Sequence, residues 1–345
     1  MKIAVLMGGI SGEREVSLAS GVQVTRALRE AGHEVVGVDT NRGVLSAAEE
    51  GAILDSGVRD PNPPDDSEDV LRTGDLGALM RDPLLTGTEV VFLALHGGRG
   101  EDGTVQTLLD LAGIPFVGSD RVGCALSMDK DLSKRLLRDA GVPTPDWITV
   151  KGREEGHARL GEVVQRLGLP VIVKPPSGGS TQGLSLAHDE VELQEALGKA
   201  LEYEEQVLFE RYVQGREVTV GILGDHALPV GEIIPEHELF DYECKYRPGM
   251  AQEIFPADLP PDVAVRIQND ALVAHGALRL REFSRVDFIL APDGTAWCLE
   301  ANALPGMTGN SLLPKAAQAA GITFSDLCHR VAEMALKRGV DQRGV

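Results

Sequence analysis

The sequence predicts an α/β protein with a mainly parallel sheet in its N-terminal part and an α+β arrangement further on. Three observations predict it. Short apolar runs alternate with segments of helical periodicity in the first part of the chain, and glycine-rich turns follow those runs. Beyond "QVLFERYV", "GREVTVGILGD" and "ALPVGEIIP" read as successive antiparallel strands. A chain of 345 residues has room for two or three domains.

The elements follow in order. "KIAVLMGG" is a buried strand running into a glycine turn, and Leu18, Val22, Val24, Leu28 and Ala31 mark a helix that stops at Gly32. "HEVVGVD" is a second strand, and beyond the polar, proline-containing stretch around "PNPPDDSEDV" comes the strand "EVVFLAL". A helix carrying Val105, Leu108, Leu109 and Ala112 leads to a short strand, "IPFVG". Ligands of parallel sheets sit beyond the C-terminal ends of the strands. "GGISGERE" and "HGGRGEDG" both follow strands, so Glu13, Ser17, His96, Glu101 and Asp102 lie where a ligand is expected. "GGISG" lacks both the dinucleotide fingerprint and the Walker lysine. Glu13 either offsets the positive end of the following helix or takes part in chemistry, and His96 is either structural or a ligand contact.

"CALSMDKDLSKRLLRDAGVP" has helical spacing, ends at glycine and proline, and carries Lys130, which alone reads as a solvated charge. In "LPVIVKPPSGGSTQG", Lys174 ends a strand, and Gly178, Gly179 and Gly183 expose backbone N–H groups beside Ser180 and Thr181. That loop suits polyphosphate, an ordinary hairpin being the alternative. "QVLFERYV" exits into Glu210, Tyr212 and Val213, able to meet an adenine through backbone groups and a sugar through a carboxylate. "GREVTVGILGD" and "ALPVGEIIP" read as antiparallel strands. The polar loop "EHELFDYECKYRPGM" that follows, with Lys245 and Tyr246, is either a lid or an exposed crossover.

"FSRVDFIL" puts Arg285 and Asp287 on one strand face, and "TAWCLEAN" puts Glu300 and Asn302 on one face of its neighbour across the turn "APDG". The cluster Asp287, Glu300 and Asn302 would repel itself without a cation, and its hard oxygens point to Mg²⁺. Gly306 then offers a backbone N–H to an oxyanion, and Ser311 opens a helix carrying Leu312 and Leu313.

A formal charge of -20 opposes partnership with nucleic acid or an anionic membrane. No apolar run approaches a membrane span or an uninterrupted signal-peptide core. Cys124, Cys244, Cys298 and Cys328 are scattered and form no CxxC, which fits a reducing, cytoplasmic compartment.

The segments "GGISGEREVSLASG", "HGGRGEDGTVQ", "ALSMDKDLSK", "VIVKPPSGGSTQG", "DYECKY", "SRVDF" and "LEANALPGMTGNSLLP" together resemble the D-alanine–D-alanine ligases of the ATP-grasp superfamily, in the family's order and over nearly the whole chain. The resemblance implies a three-domain ATP-grasp architecture: residues 1–120 contacting substrate, 121–215 forming the central ATP-grasp subdomain and 216–345 the catalytic one. It implies a cytoplasmic homodimer joining two D-alanine molecules for peptidoglycan precursors, with ATP as co-substrate and Mg²⁺ as a pair of ions, or Mn²⁺ in its place.

By the same resemblance, Glu13 binds the first amino acid and joins Ser180 and Tyr246 in a link that closes the lid, while Arg285 and the Gly306 N–H stabilise the oxyanion. Lys130, Lys174 and Lys245 match phosphate-contacting lysines, and Glu210, Tyr212, Val213 and Glu217 match nucleotide-pocket positions. His96, Ser311 and Leu312 match substrate contacts, and Asp287, Glu300 and Asn302 match the metal set. The chain departs from the family at Ser284, where a glycine is common, and at Ala303 and Leu304, which replace small polar residues. Altered packing rather than lost chemistry is expected there. A depsipeptide ligase making an ester with D-lactate is disfavoured by the Lys245–Tyr246 pair, and a non-catalytic nucleotide-binding protein by the oxygen cluster.

Overall fold

The computed structural model describes residues 1–9, 11–56, 83–177, 179, 183–240, 244, 247 and 249–343. The stretch "PNPPDDSEDV" and the residues Ser180, Lys245 and Tyr246 lie outside them.

The first sheet has the order β3-β2-β1-β4, with β1 (Lys2–Met7), β2 (Glu34–Asp39), β3 (Gly43–Val44) and β4 (Val90–Leu93). β1 pairs in parallel with both β2 and β4. Its residues Ile3 to Met7 are wholly buried, as the continuous apolar run requires of a strand covered on both faces. α1 (Arg14–Glu30) makes the crossover to β2 and α2 (Ala47–Ser56) follows β3. Because β2 and β4 flank β1 on opposite sides, the loops leaving β1 and β4 part at a switch point, and Glu13 and His96 sit on those loops. α3 (Thr104–Leu111) follows, and the expected strand "IPFVG" is reduced to one parallel bridge between Val91 and Phe116.

The single helical pattern of residues 121–139 is two helices, α4 (Arg121–Met128) and α5 (Lys130–Asp139). Asp129 breaks it by capping the second, its carboxylate accepting from the Asp131 and Leu132 N–H groups at 3.0 Å each. The second sheet, order β5-β8-β6-β7, contains β5 (Trp147–Lys151), β6 (Val171–Lys174), β7 (Ser185–Ala187) and β8 (Gln206–Arg211), covered by α6 (Gly152–Leu167) and α7 (Glu190–Ala200). β6 and β7 are antiparallel, so the glycine loop between them is a hairpin connection.

The third sheet runs β12-β11-β9-β13-β14, with β10 on the side of β9. Its strands are β9 (Arg216–Leu223), β10 (His226–Ala227), β11 (Gly231–Pro235), β12 (Ala251–Ile254), β13 (Phe283–Leu290) and β14 (Ala296–Asn302). The antiparallel reading of β9 and β11 holds. α8 (Pro261–Ala277) packs on this sheet together with Cys124 of α4 and Leu137 of α5. α9 (Leu312–Ala319) and α10 (Phe324–Arg343) send Leu313, Leu327, Val331 and Ala335 into the core of the first sheet. The last helices thus return to the beginning of the chain and press the first and third sheets together.

Candidate active site

β13 and β14 pair in the predicted hairpin register, with Asp287 opposite Glu300 and Arg285 opposite Asn302. The Arg285 guanidinium grips Asp287 with Nε to Oδ1 and Nη2 to Oδ2, each at 2.9 Å. Thr219 of β9 donates to Asp287 at 2.7 Å and the Asn302 amide donates at 3.0 Å. Glu300 lies 3.5 Å from the Lys130 ammonium. The expectation that these oxygens repel one another unless a metal is present is therefore corrected: Arg285 and Lys130 already offset both carboxylates.

Two carboxylates and an amide oxygen still suit Mg²⁺, which takes the remainder of its shell from phosphate oxygens and water. Both carboxylates line the cleft described next, which fits that donor set. Among the described residues, no group of three or more His, Cys, Asp or Glu side chains could hold a metal ion alone.

The cleft lies between the second and third sheets and is lined by Lys174, Glu210, Tyr212, Val213 and Glu217, together with Asp287 and Glu300. Ile172, Leu184, Ile289 and Leu299 give it apolar walls, which sequence reasoning passed over because alternating strand residues look alike until the facing sheet is known. Leu239 and Phe240, from the loop between β11 and β12, reach over the same cleft. Lys130, read alone as a solvated charge, begins α5 with its side chain 13% exposed. Its backbone N–H donates to the Pro176 carbonyl at 2.9 Å, tying α5 to the glycine loop.

A chamber of about 580 Å³ adjoins the cleft, bounded by Glu13, His96, Glu101, Gly306, Ser311 and Leu312 among others. Lys130, Gly179, Phe240, Arg285 and Glu300 line both spaces. Glu13 occupies the N-cap position of α1 without a side-chain capping bond. Instead its Oε2 lies where a Cβ on Gly97 would come within 2.8 Å and one on Gly179 within 3.0 Å. Gly97 also has φ +69°, so both conformation and space demand glycine there. His96 is buried, with Nε2 at 3.3 Å from the Ser20 hydroxyl, and burial lowers its pKa so that it sits neutral at the chamber wall.

Glu101 accepts the Gly97 N–H at 2.7 Å. Burial and then the nearby Glu13 charge push its carboxyl up to about 8. The two other polar residues of these loops are structural. Ser17 ties them together, accepting from the Gly8 N–H at 2.8 Å and donating to the Ala94 carbonyl at 2.6 Å. Asp102 accepts the Thr104 N–H at 2.8 Å at the start of α3.

Ser311 is the N-cap residue of α9, yet its hydroxyl turns to Thr308, 2.8 Å from Oγ1 and 3.1 Å from the backbone N–H. A Cβ on Gly306 would come within 2.9 Å of Ser311 Oγ, so a side chain there would have to displace that hydroxyl. Two of the departures from the family lie in packed surroundings. Ser284 is fully buried and pairs with His275 Nδ1 at 2.7 Å, on the sheet face opposite Arg285. Leu304 is buried against Gly118, where a Cβ would come within 2.9 Å of its side chain.

Two family models match the chain: the D-ala D-ala ligase N-terminus over residues 2–119 and the D-ala D-ala ligase C-terminus over residues 136–333. The D-alanine–D-alanine ligase of Moorella thermoacetica is 39% identical over 98% of this chain and 100% of its own length. That of Desulfotalea psychrophila is 37% identical over 100% and 98%. A crystal structure of the Bacillus anthracis D-alanine–D-alanine ligase complexed with ATP covers 99% of both chains, with a TM-score of 0.77 and 31% identity. The VanG D-Ala:D-Ser ligase of Enterococcus faecalis covers 97% of this chain and 99% of its own, with a TM-score of 0.80 and 30% identity. Motif order, the two adjoining spaces and these likenesses over the full length agree, and the chain belongs to the D-alanine–D-alanine ligases of the ATP-grasp superfamily.

Proposed function

We propose that this protein joins two D-alanine molecules at the expense of ATP, giving D-alanyl-D-alanine, ADP and phosphate for peptidoglycan precursors. The observation that carries the reading is the meeting of two spaces at Arg285 and Glu300, one lined by Lys130, Lys174 and apolar walls, the other rimmed by carboxylates that suit ammonium groups. The carboxylate of one D-alanine attacks the γ-phosphorus, and the bond to ADP breaks. The amine of the second attacks the acyl carbon of the resulting D-alanyl phosphate, loses a proton, and phosphate leaves.

Glu13 anchors the first ammonium. Arg285 and the Gly306 N–H face the oxyanion, and they accelerate the step to the extent that they bind it more strongly than the ground-state carbonyl. Ser311 holds the second carboxylate beside Leu312, and His96 braces the wall. Lys130, Lys174 and Lys245 contact phosphates, while Glu210, Tyr212, Val213 and Glu217 surround the adenosine. Asp287, Glu300 and Asn302 would hold Mg²⁺ as a pair of ions, with Mn²⁺ as a substitute, and such a metal would supply positive charge against the phosphates.

Gly179, one position before Ser180, lies against Glu13, which supports the proposed link from Glu13 through Ser180 to Tyr246. Division at residues 1–120, 121–215 and 216–345, a homodimer and a cytoplasmic location complete the reading. No helix among the described residues is long and apolar enough to cross a membrane.

The test is incubation with ATP, Mg²⁺ and D-alanine, with dipeptide read by mass spectrometry beside phosphate release. Folded protein that binds ATP and forms no dipeptide overturns the reading. Because a relative of similar fold is a D-Ala:D-Ser ligase, D-serine and D-lactate belong in the same assay as competitors. Predominant mixed product at neutral pH would move the assignment to that second substrate.

A further inference from the structure

Behind the cleft lies a lysine that touches neither space. Lys134, on the inner face of α5, has a side chain with 0% exposure. Its ammonium sits 2.7 Å from Glu210 Oε2, donates to Thr144 Oγ1 at 2.6 Å and lies 5.1 Å from the Trp147 ring centre. The other Glu210 oxygen accepts from Lys174 Nζ at 2.9 Å. Glu210 and Lys174 line the cleft, whereas Lys134 does not. A buried ammonium is costly unless paired, and burial indeed lowers the Lys134 pKa against the pull of Glu210. Burial pushes the Glu210 carboxyl up, and the two lysines more than reverse this, leaving it below its ordinary value.

We infer that Lys134 is a positioning residue for nucleotide binding, acting through Glu210 on Lys174. This rests on the ligase reading only for the identity of the nucleotide as ATP. With one oxygen ion-paired to Lys134, Glu210 offers Lys174 a single oxygen, and Lys174 also lines the cleft. The three side chains carry one net positive charge, which favours a polyphosphate. Without Lys134, a buried carboxylate is left with one cation, draws Lys174 back with both oxygens and cancels that charge. Lys134 therefore governs how much of Lys174 the nucleotide receives.

The experiment measures ATP affinity by calorimetry, and KM for ATP and for D-alanine, in the full chain and in Lys134→Met, Glu210→Gln and the double variant. Lys134→Met should weaken ATP binding by about tenfold or more and raise KM for ATP, with KM for D-alanine and kcat little changed. In the Glu210→Gln background the carboxylate charge is gone and Lys174 is already released, so adding Lys134→Met should weaken ATP binding by less than about threefold relative to Glu210→Gln alone, which carries the loss of any contact Glu210 itself makes to the nucleotide. A purely structural lysine would instead cost as much in the Glu210→Gln background as it does in wild type. That outcome, or wild-type ATP affinity in Lys134→Met, overturns the proposal. If Lys134→Met does not fold, Lys134→Gln, which keeps a donor toward Glu210, takes its place in the same comparison. Wild-type protein that binds ATP yet makes no dipeptide would sink the ligase reading and leave this comparison intact.

Discussion

The two adjoining spaces treat charge in opposite ways. In the cleft, buried ions meet protein partners: Glu210 lies between Lys134 and Lys174, and Asp287 is held by Arg285, Thr219 and Asn302. In the chamber, burial and then the neighbouring Glu13 charge hold the Glu101 carboxyl above its ordinary range. Paired charges hold a geometry before the ligand arrives, whereas two neighbouring carboxylates make a space more favourable to a ligand's positive charge. The contrast suits a polyanion in one space and ammonium groups in the other.

The largest way to break this contrast is at its boundary. Arg285 faces both spaces, so Arg285→Met should cost about 10²–10³-fold in kcat, while thermal melting shows whether the fold survives the loss of its Asp287 pair. Near-normal turnover would remove Arg285 from the chemistry. Next come the metal positions. Glu300→Gln should impair turnover more than Asn302→Ala, each by roughly 10–100-fold, because only the first removes negative charge from the proposed ion. Mg²⁺ titration at saturating ATP checks both, and unchanged dependence in both would show that the metal set is elsewhere.

A smaller effect should come from Glu101. Its folded pKa of about 8 exceeds the ordinary 4.5, so the folded protein keeps a proton that the unfolded chain releases. The stabilisation from that proton is full below pH 4.5, declines between 4.5 and about 8, and is gone above. Melting of Glu101→Gln across this window should show a flatter pH dependence than wild type. An ammonium entering beside Glu13 should also pull the Glu101 proton off. D-alanine binding measured in two buffers of different ionisation enthalpy should therefore give different heats near neutrality, and equal heats would reject the idea.

Smallest of all, Ser284→Gly removes one bond to His275 on the far face of β13 and should cost about 0.5–1.5 kcal/mol of stability with little change in activity. Denaturant unfolding beside turnover separates the two.

Legibility followed sequence distance. The β13–β14 hairpin could be read in advance because both strands, their shared faces and the turn lie within 20 residues, where period-2 alternation is enough to bring Arg285, Asp287, Glu300 and Asn302 together. Glu13 and His96 were found by the rule for parallel sheets, which needs only strand ends. The break at Asp129 was missed because apolar periodicity continues across it, although an aspartate two residues before another acidic helix residue was a capping signal in plain view.

By itself the chain's pattern determined which segments form strands and helices, which side chains share a face, and which motifs belong to a ligase family. Only the tertiary structure decided what those side chains meet. Lys134 looks from sequence like any charge on an amphipathic helix, and nothing local shows that α5 turns it inward beneath Glu210. That Lys130 faces Glu300, that Glu101 is squeezed beside Glu13, and that α10 packs on the first sheet were decided in the same way. Periodicity reports the apolar side of an element, but desolvation and Coulomb energy depend on whatever closes over a group from distant parts of the chain.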